Sequence, residues 1–319
     1  MRILLLLALS TLLFAAPLTQ LYLEKGIFAV QKQLDEKLLA LGFWQQQLET
    51  TDTRYGYFQN TKTLLHCDKN SSILQVYQRD NNNTFVFIKN YNAFVGKKSG
   101  DKQREGDLKT PVGIYTLTTK VTTLDSFYGP MAFITSYPNL YDRVRNKKGH
   151  GIWIHGLPLH QERDEYTKGC IAIDNEDIKC LDNRLDITSA LLVIDEKKEL
   201  THTKSDYAQL LQKLYEWRNA WIYNDIDTYL SFYDPDFIRF DGLNKPRFSR
   251  YKKRIFAKKE LKSIDFNNIA IMPYPSQDNN LFMIRFTENY NAPSMQFTGN
   301  KILMVHLLED KNISIIAEQ

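Results

Sequence analysis

Hydrophobic positions follow four different rhythms along this chain. Residues 1–16 begin Met1-Arg2, run apolar from Ile3 to Leu9, and close on Ala15-Ala16 ahead of Pro17. One positive charge, an apolar stretch of about a dozen residues and small residues at its end predict a secretory signal peptide. The run is too short to cross a bilayer core of roughly 30 Å as a helix, so an exported, soluble protein is expected. Between 18 and 50 the apolar residues Leu23, Ile27, Val30, Leu34, Leu38 and Leu41 recur every three or four positions. That period predicts helix, with Gly42-Phe43-Trp44 as a stop or bend. A helical pair of this size cannot bury a core by itself. It is expected to dock on the next domain or on a second copy, with a dimer contact as the expectation.

From about Ser72 the period becomes strand-like. Ile73 to Tyr77, a turn at Asp80 to Asn83, and Thr84 to Ile88 predict a hairpin. Further short strands are predicted at Gly113–Thr118, Ala132–Ser136, Gly151–His155, Cys170–Ile173 and Ala190–Ile194. Many short strands separated by Gly, Pro and Asn indicate a mostly-β domain. Asp195 to Ser205, rich in Lys and Thr, reads as a linker. Beyond it, helical patterns over Tyr207–Ile222 and Asp225–Tyr233 precede a basic segment and strand-like runs at Ile269–Met272, Leu281–Tyr290 and Lys301–Leu308. This last part predicts an α+β domain of ordinary size.

The length, 319 residues, allows two domains and an appendage. With 43% hydrophobic and 24% charged residues the chain has the balance of a soluble globular protein. A net charge of +4 is too mild to argue for a nucleic-acid partner, and none is expected. Three cysteines are an odd number, so a disulfide framework cannot use them all.

One constellation carries chemistry. Gly151-Ile152-Trp153-Ile154-His155-Gly156 ends a predicted strand on an imidazole, and fifteen residues later comes Thr167-Lys168-Gly169-Cys170-Ile171. A thiol attacks as thiolate, and its free pKa near 8.5 leaves only a few per cent ionised at neutral pH. An imidazole within reach takes that proton and later returns it to a leaving amine. Gly169 suits a tight turn whose backbone N–H groups face a developing oxyanion, and Lys168 adds positive charge near the sulfur. Three other readings of Cys170 stand beside this one: an inert buried thiol, half of a disulfide, or a metal ligand. If a disulfide forms, Cys67 with Cys180 is the preferred pair. Of His150, His155, His160, Cys170 and Cys180, only His155 and His160 meet half of the ligand spacing of structural zinc, and Pro158 between them breaks any shared helix face; no metal and no cofactor are expected.

Glu105-Gly106-Asp107-Leu108-Lys109-Thr110-Pro111-Val112-Gly113-Ile114-Tyr115, then Tyr128-Gly129-Pro130, Ser136-Tyr137-Pro138-Asn139, Trp153-Ile154-His155-Gly156 and Thr167-Lys168-Gly169-Cys170-Ile171 closely resemble the L,D-transpeptidase (YkuD-type) catalytic domain. The resemblance spans roughly residues 72–197. It implies a β-rich fold and an exported enzyme acting on peptidoglycan stem peptides. It also implies Cys170 as nucleophile, His155 as base, the Gly156 carbonyl orienting the imidazole and backbone N–H groups near Gly169 and Cys170 in the oxyanion hole. Tyr128, Trp153, Thr167 and Lys168, within the same motifs, are the expected substrate contacts. Two positions depart from the commonest family form: Lys168 replaces a histidine, and Ala172 an arginine or asparagine.

Trp217-Arg218-Asn219-Ala220-Trp221, Asp227-Thr228-Tyr229-Leu230-Ser231-Phe232-Tyr233 and Asp236-Phe237 are similar to the opening of a nuclear-transport-factor-2-like domain, a curved sheet wrapped around a cone-shaped pocket. Tyr229, Phe232, Tyr233, Phe237 and Phe240 are candidate cavity rings or core. Nine basic residues between Lys245 and Lys262, against the single acid Glu260, read equally as a solvated helix face or as an attractor of anionic wall glycan.

The expected architecture is therefore mixed: a signal peptide (1–16), a helical and dimerising segment (17–66), a mostly-β catalytic domain (67–200) and an α+β nuclear-transport-factor-2-like domain (201–319). This layout resembles the L,D-carboxypeptidases that set helical or curved cell shape in some Gram-negative bacteria. It implies a periplasmic enzyme that removes the terminal D-Ala from tetrapeptide stems. An L,D-transpeptidase forming 3–3 cross-links, or a non-catalytic wall-binding protein, are the alternatives.

Overall fold

The computed structural model describes residues 18–160, 164–196, 202–276, 278 and 280–319. The expected signal peptide and much of the expected linker lie outside the described residues. The helical period of the N-terminal segment is realised as a helical stretch over 18–25, then α1 (Ile27–Leu38) and α2 (Leu41–Leu48). The breaks fall at Gly26, whose φ of 77° no other residue type adopts readily, and at Leu39-Ala40. Gly42, read as a stop, instead sits inside α2.

The next strand, β1 (Tyr57–Phe58), belongs to the C-terminal sheet. A catalytic-domain boundary at 66/67 would cut through β2 (Thr63–Asp68), where the first barrel begins. β3 (Ile73–Arg79) and β4 (Phe85–Phe94) form the expected hairpin. β5 (Gly113–Val121), β6 (Ala132–Thr135), α3 (Leu140–Val144), β7 (Trp153–His155), β8 (Ile171–Ile173), α4 (Asn175–Asp182) and β9 (Ala190–Asp195) complete the domain. The strands close in the order β2-β3-β4-β8-β7-β6-β5-β9, and β9 returns parallel to β2. Alternate side chains share one core: Leu65 and Cys67, Leu74 and Val76, Tyr115 and Leu117, Ile171 and Ile173, Leu192 and Ile194. Cys67 is fully buried in that core and forms no disulfide, so Cys67 and Cys180 do not pair.

The C-terminal domain opens with α5 (Lys204–Ile222), whose N-terminus is closed by a capping box between Thr203 and Asp206. α6 (Ile226–Ser231) stops short of Tyr233, which begins β10 (Tyr233–Arg239). After α7 (Lys245–Phe256) come β11 (Ser263–Pro273), β12 (Leu281–Ala292), β13 (Met295–Leu307) and β14 (Ile313–Glu318). The sheet order is β1-β11-β12-β13-β14-β10. α5 packs its Leu214, Trp217 and Trp221 onto one face with Phe266, Ile284 and Phe286. The opposite face, through Met272, Met283 and Met304, shares a cluster with Leu64, Ile114 and Leu191 of the barrel.

The N-terminal helices join the C-terminal domain, not the barrel. Trp44 stacks on Tyr215 at 5.2 Å, and Arg218 of α5 meets Asp35 of α1 at 2.8 Å with both side chains buried. Breaking such a pair on one side leaves a buried charge uncompensated, so the segment is tied down firmly.

Candidate active site

The Thr167–Cys170 turn and the His155 imidazole reach the same place because β7 and β8 are adjacent and parallel. Ile154 registers with Ile171 and His155 with Ala172. Side chains alternate across a strand, so Ile154 and Ile171 enter the barrel core while His155, Ala172 and the preceding Cys170 belong to the other face. His155 is 1% exposed, whereas Cys170 is partly open to solvent. That combination suits a buried base and an accessible nucleophile.

The imidazole is fixed through its Nδ1, 2.7 Å from the Gly156 carbonyl oxygen. A carbonyl only accepts, so in the neutral ring Nδ1 carries the proton and Nε2 is the basic nitrogen. Tyr128 meets the imidazole edge-on, with ring centroids 5.1 Å apart at 86°, and Trp153 lies 5.1 Å from Tyr128. These two residues, expected as substrate contacts, form a half-buried aromatic wall next to the His155 imidazole. The Cys170 thiol donates to the Gly151 carbonyl oxygen at 3.4 Å.

The turn before Cys170 is held from within. The Gly169 N–H donates to Thr167 Oγ1 at 3.0 Å, and the Thr167 hydroxyl donates to the Cys170 carbonyl at 2.7 Å. Gly169 is buried, and its N–H is committed inside the turn. Thr167, 3% exposed, acts there as a brace. Lys168 between them is exposed. Gly169 has φ 138°, and a Cβ on it would lie 2.7 Å from the Lys109 carbonyl oxygen; only glycine fits against that loop.

The loop itself explains the acidic motif. Asp107 accepts N–H bonds from Gln103 at 2.8 Å, Arg104 at 3.1 Å and Lys109 at 3.1 Å, and pairs with the buried Lys102 at 2.8 Å. Burial pushes the Asp107 carboxyl up, but these donors outweigh it and hold it well below the usual carboxylate range. Thr110 accepts from the Gly96 N–H at 2.8 Å, and the Tyr115 hydroxyl donates to the buried Asp142 at 3.1 Å. The Asp107, Thr110 and Tyr115 positions of the motif therefore build the loop's scaffold.

The C-terminal domain holds a second polar cluster. Lys301 lies 2.7 Å from Glu318 and 3.5 Å from Glu288, and Tyr233 donates to Glu318 at 2.7 Å. Lys252, one of the nine basic residues, does not lie on a solvated face. It is 6% exposed, with its ammonium 4.2 Å from the Trp221 ring centroid, and burial pushes it down to about 8. Burial raises Glu318, but Lys301 and Lys252 outweigh that and hold it at about 2. Tyr229, Tyr233 and Phe237 are core, whereas Phe240 is 54% exposed and lines no interior. A separate cleft of about 760 Å³ between barrel and C-terminal sheet, lined in part by Arg79, Asp186, Arg285 and Asn300, includes neither Cys170 nor His155.

A β-barrel with a Cys–His face, joined to a helix-wrapped sheet, defines the class: an L,D-transpeptidase-type catalytic domain followed by a nuclear-transport-factor-2-like domain. The sequence pattern of the L,D-transpeptidase catalytic domain matches residues 62–194, and that of the Cds6 C-terminal NTF2-like domain matches residues 209–319. The chain belongs to the family of the helical cell shape determining protein Pgp2 of Campylobacter jejuni. It is 38% identical to the Pgp2 crystal structure with a TM-score of 0.81, over 88% of this chain and 100% of that one. Bd1075 of Bdellovibrio bacteriovorus is 28% identical with a TM-score of 0.64, over 85% of this chain and 96% of that one. YafK of Escherichia coli K12, which carries an L,D-transpeptidase name, is 37% identical over 79 residues; the match spans 25% of this chain and 29% of YafK.

Proposed function

We propose that this protein is a periplasmic peptidoglycan L,D-carboxypeptidase that trims the terminal D-Ala from tetrapeptide stems and so acts on cell shape. The observation that carries the chemistry is the shared face of β7 and β8, with a buried Nδ1-anchored His155 beside an accessible Cys170. His155 Nε2 takes the thiol proton, and the thiolate attacks the carbonyl carbon at the L-centre of the diaminopimelate residue. The C–N bond to D-Ala breaks, and the leaving amine takes the proton back from the imidazolium. An acyl-enzyme thioester remains. Water, deprotonated by the same His155, then releases the tripeptide and regenerates the thiol.

The part in cell shape is supported by likeness to Pgp2, described as a helical cell shape determining protein, over nearly the whole described chain; the choice of water over a second stem's amine as acceptor rests on the resemblance of the three-part layout to the L,D-carboxypeptidases. Export rests on the apolar start of the sequence. The test is incubation of the purified protein with tetrapeptide muropeptides and mass analysis. Tripeptide supports the reading, and 3–3 dimers or exchanged D-amino acids would assign the transpeptidase instead. Unchanged substrate would leave a non-catalytic wall-binding role.

Two further parts of the reading concern partners. The exposed Tyr22, Leu23, Ile27 and Phe28 on the N-terminal helical segment support a homodimer contact. The exposed Arg247, Arg250, Lys253 and Arg254 of α7 support a charged wall glycan as ligand of the C-terminal domain.

A further inference from the structure

The peptide unit between Gly156 and Leu157 is gripped at both ends. Its carbonyl oxygen accepts from His155 Nδ1 at 2.7 Å, and its N–H donates to the side-chain Oδ1 of Asn175 at 2.9 Å. A peptide unit is planar, so the direction of the N–H fixes the direction of the carbonyl. Hydrogen bonds at the two ends of one amide also polarise each other. We propose that Asn175 is a positioning residue for the catalytic base: acting through this one peptide plane, it holds the Gly156 carbonyl on Nδ1 and so keeps Nε2 as the basic nitrogen of His155.

The surroundings are built for that approach. A Cβ on Gly156 would lie 2.3 Å from Asn175 Oδ1, and one on Gly129 would lie 2.5 Å from it. Real side chains never come so close, so both positions must lack one for the asparagine to seat. This gives the Tyr128-Gly129-Pro130 motif a physical role that substrate contact alone did not supply: the glycine admits Asn175, while Tyr128 covers the imidazole. Asn175 is itself held at the first position of α4, whose N-cap Asp174 accepts from the Glu176 N–H at 2.9 Å. α4 is anchored in turn by Ile178 and Leu181 in the barrel core. The base is thereby tied to a rigid helix start immediately after the strand that follows Cys170.

This inference rests on the Cys170–His155 reading, and its test separates the two. The rate of iodoacetamide reaction at Cys170 is followed against pH in full-length protein carrying Cys180→Ser, with Cys67 buried. The parent protein should show a thiolate inflection below about pH 8. Asn175→Ala, studied well below its melting temperature, should move the inflection toward the free-thiol value of about 8.5. It should also lower kcat for tetrapeptide trimming by about 10- to 100-fold with a smaller change in KM. Asn175→Asp keeps the acceptor and should restore the inflection. A folded Asn175→Ala protein with an unmoved inflection overturns the proposal while leaving the dyad intact; no low inflection in the parent overturns the dyad itself. If Asn175→Ala does not fold, the parent alone decides. Its Leu157 amide should exchange as slowly as barrel amides, and its imidazole 15N spectrum should show the Nδ1-protonated form. A fast-exchanging Leu157 amide overturns the role given to Asn175.

Discussion

Thr167 and Gly169 make the bond that decides how the turn before Cys170 is held: the glycine N–H donates to the threonine hydroxyl oxygen at 3.0 Å, inside the turn. The same hydroxyl donates to the Cys170 carbonyl. Thr167→Val keeps the shape and removes both bonds, leaving a buried N–H and a carbonyl unpaired. It should lower stability by about 1–3 kcal/mol and reduce kcat for stem trimming with KM less affected. Thr167→Ser should stay close to the parent. Thermal melts and steady-state kinetics on the same preparations check this.

Tyr128 is expected to act through its ring. Tyr128→Phe keeps the edge-on contact with His155 and the contact with Trp153, and should retain kcat/KM within a few-fold. Tyr128→Ala removes contacts worth about 0.5–1.5 kcal/mol each, opens the imidazole to water, and should lower kcat/KM by about tenfold or more. Equal activity of the two variants would contradict the role of the aromatic wall.

Asp107 gives a pH-dependent expectation. Its folded carboxyl titrates below its ordinary value because Lys102 and three backbone N–H groups hold the charged form. Its stabilisation is therefore fully present above an unfolded pKa near 3.9 and is lost as pH falls below that toward the depressed folded value. Asp107→Asn leaves Lys102 buried without its counter-charge and should cost about 3 kcal/mol at pH 7. The difference in denaturant midpoint between parent and variant should shrink steadily below about pH 4. A difference that is flat with pH would contradict it.

Much of this was legible in advance, for physical reasons that differ residue by residue. His155 and Cys170 stood out because one closes and the other immediately precedes a short strand whose alternation is forced by the barrel core. β10 was hidden because Tyr233-Asp234-Pro235-Asp236 follows a helix without a break in apolar spacing, and proline in a strand weakens the signal. The direction of the Gly169 N–H was not legible, since it depends on a hydroxyl two residues away. Nor was the docking of the N-terminal helices, because Asp35 and Arg218 meet across 183 positions of sequence. Asn175 carried only a faint signal, as the residue after a helix-capping aspartate.

The proposed dimer contact is tested by charge on its exposed face. Leu23 and Phe28 are 78% and 74% exposed and are apart from the buried Asp35–Arg218 tie, so Leu23→Glu with Phe28→Glu should leave the fold and its melting temperature nearly unchanged. Light scattering should read a dimer for the parent and a monomer for the variant. The same mass for both would contradict a contact through this face.

The most direct test of the central claim is mass spectrometry of purified tetrapeptide muropeptides after incubation with the parent protein, Cys170→Ala and His155→Ala. The parent should convert tetrapeptide to tripeptide with release of free D-Ala, and both variants, folded, should leave the substrate whole. Trimming that persists in Cys170→Ala, or tetrapeptide untouched by the parent, would contradict the account.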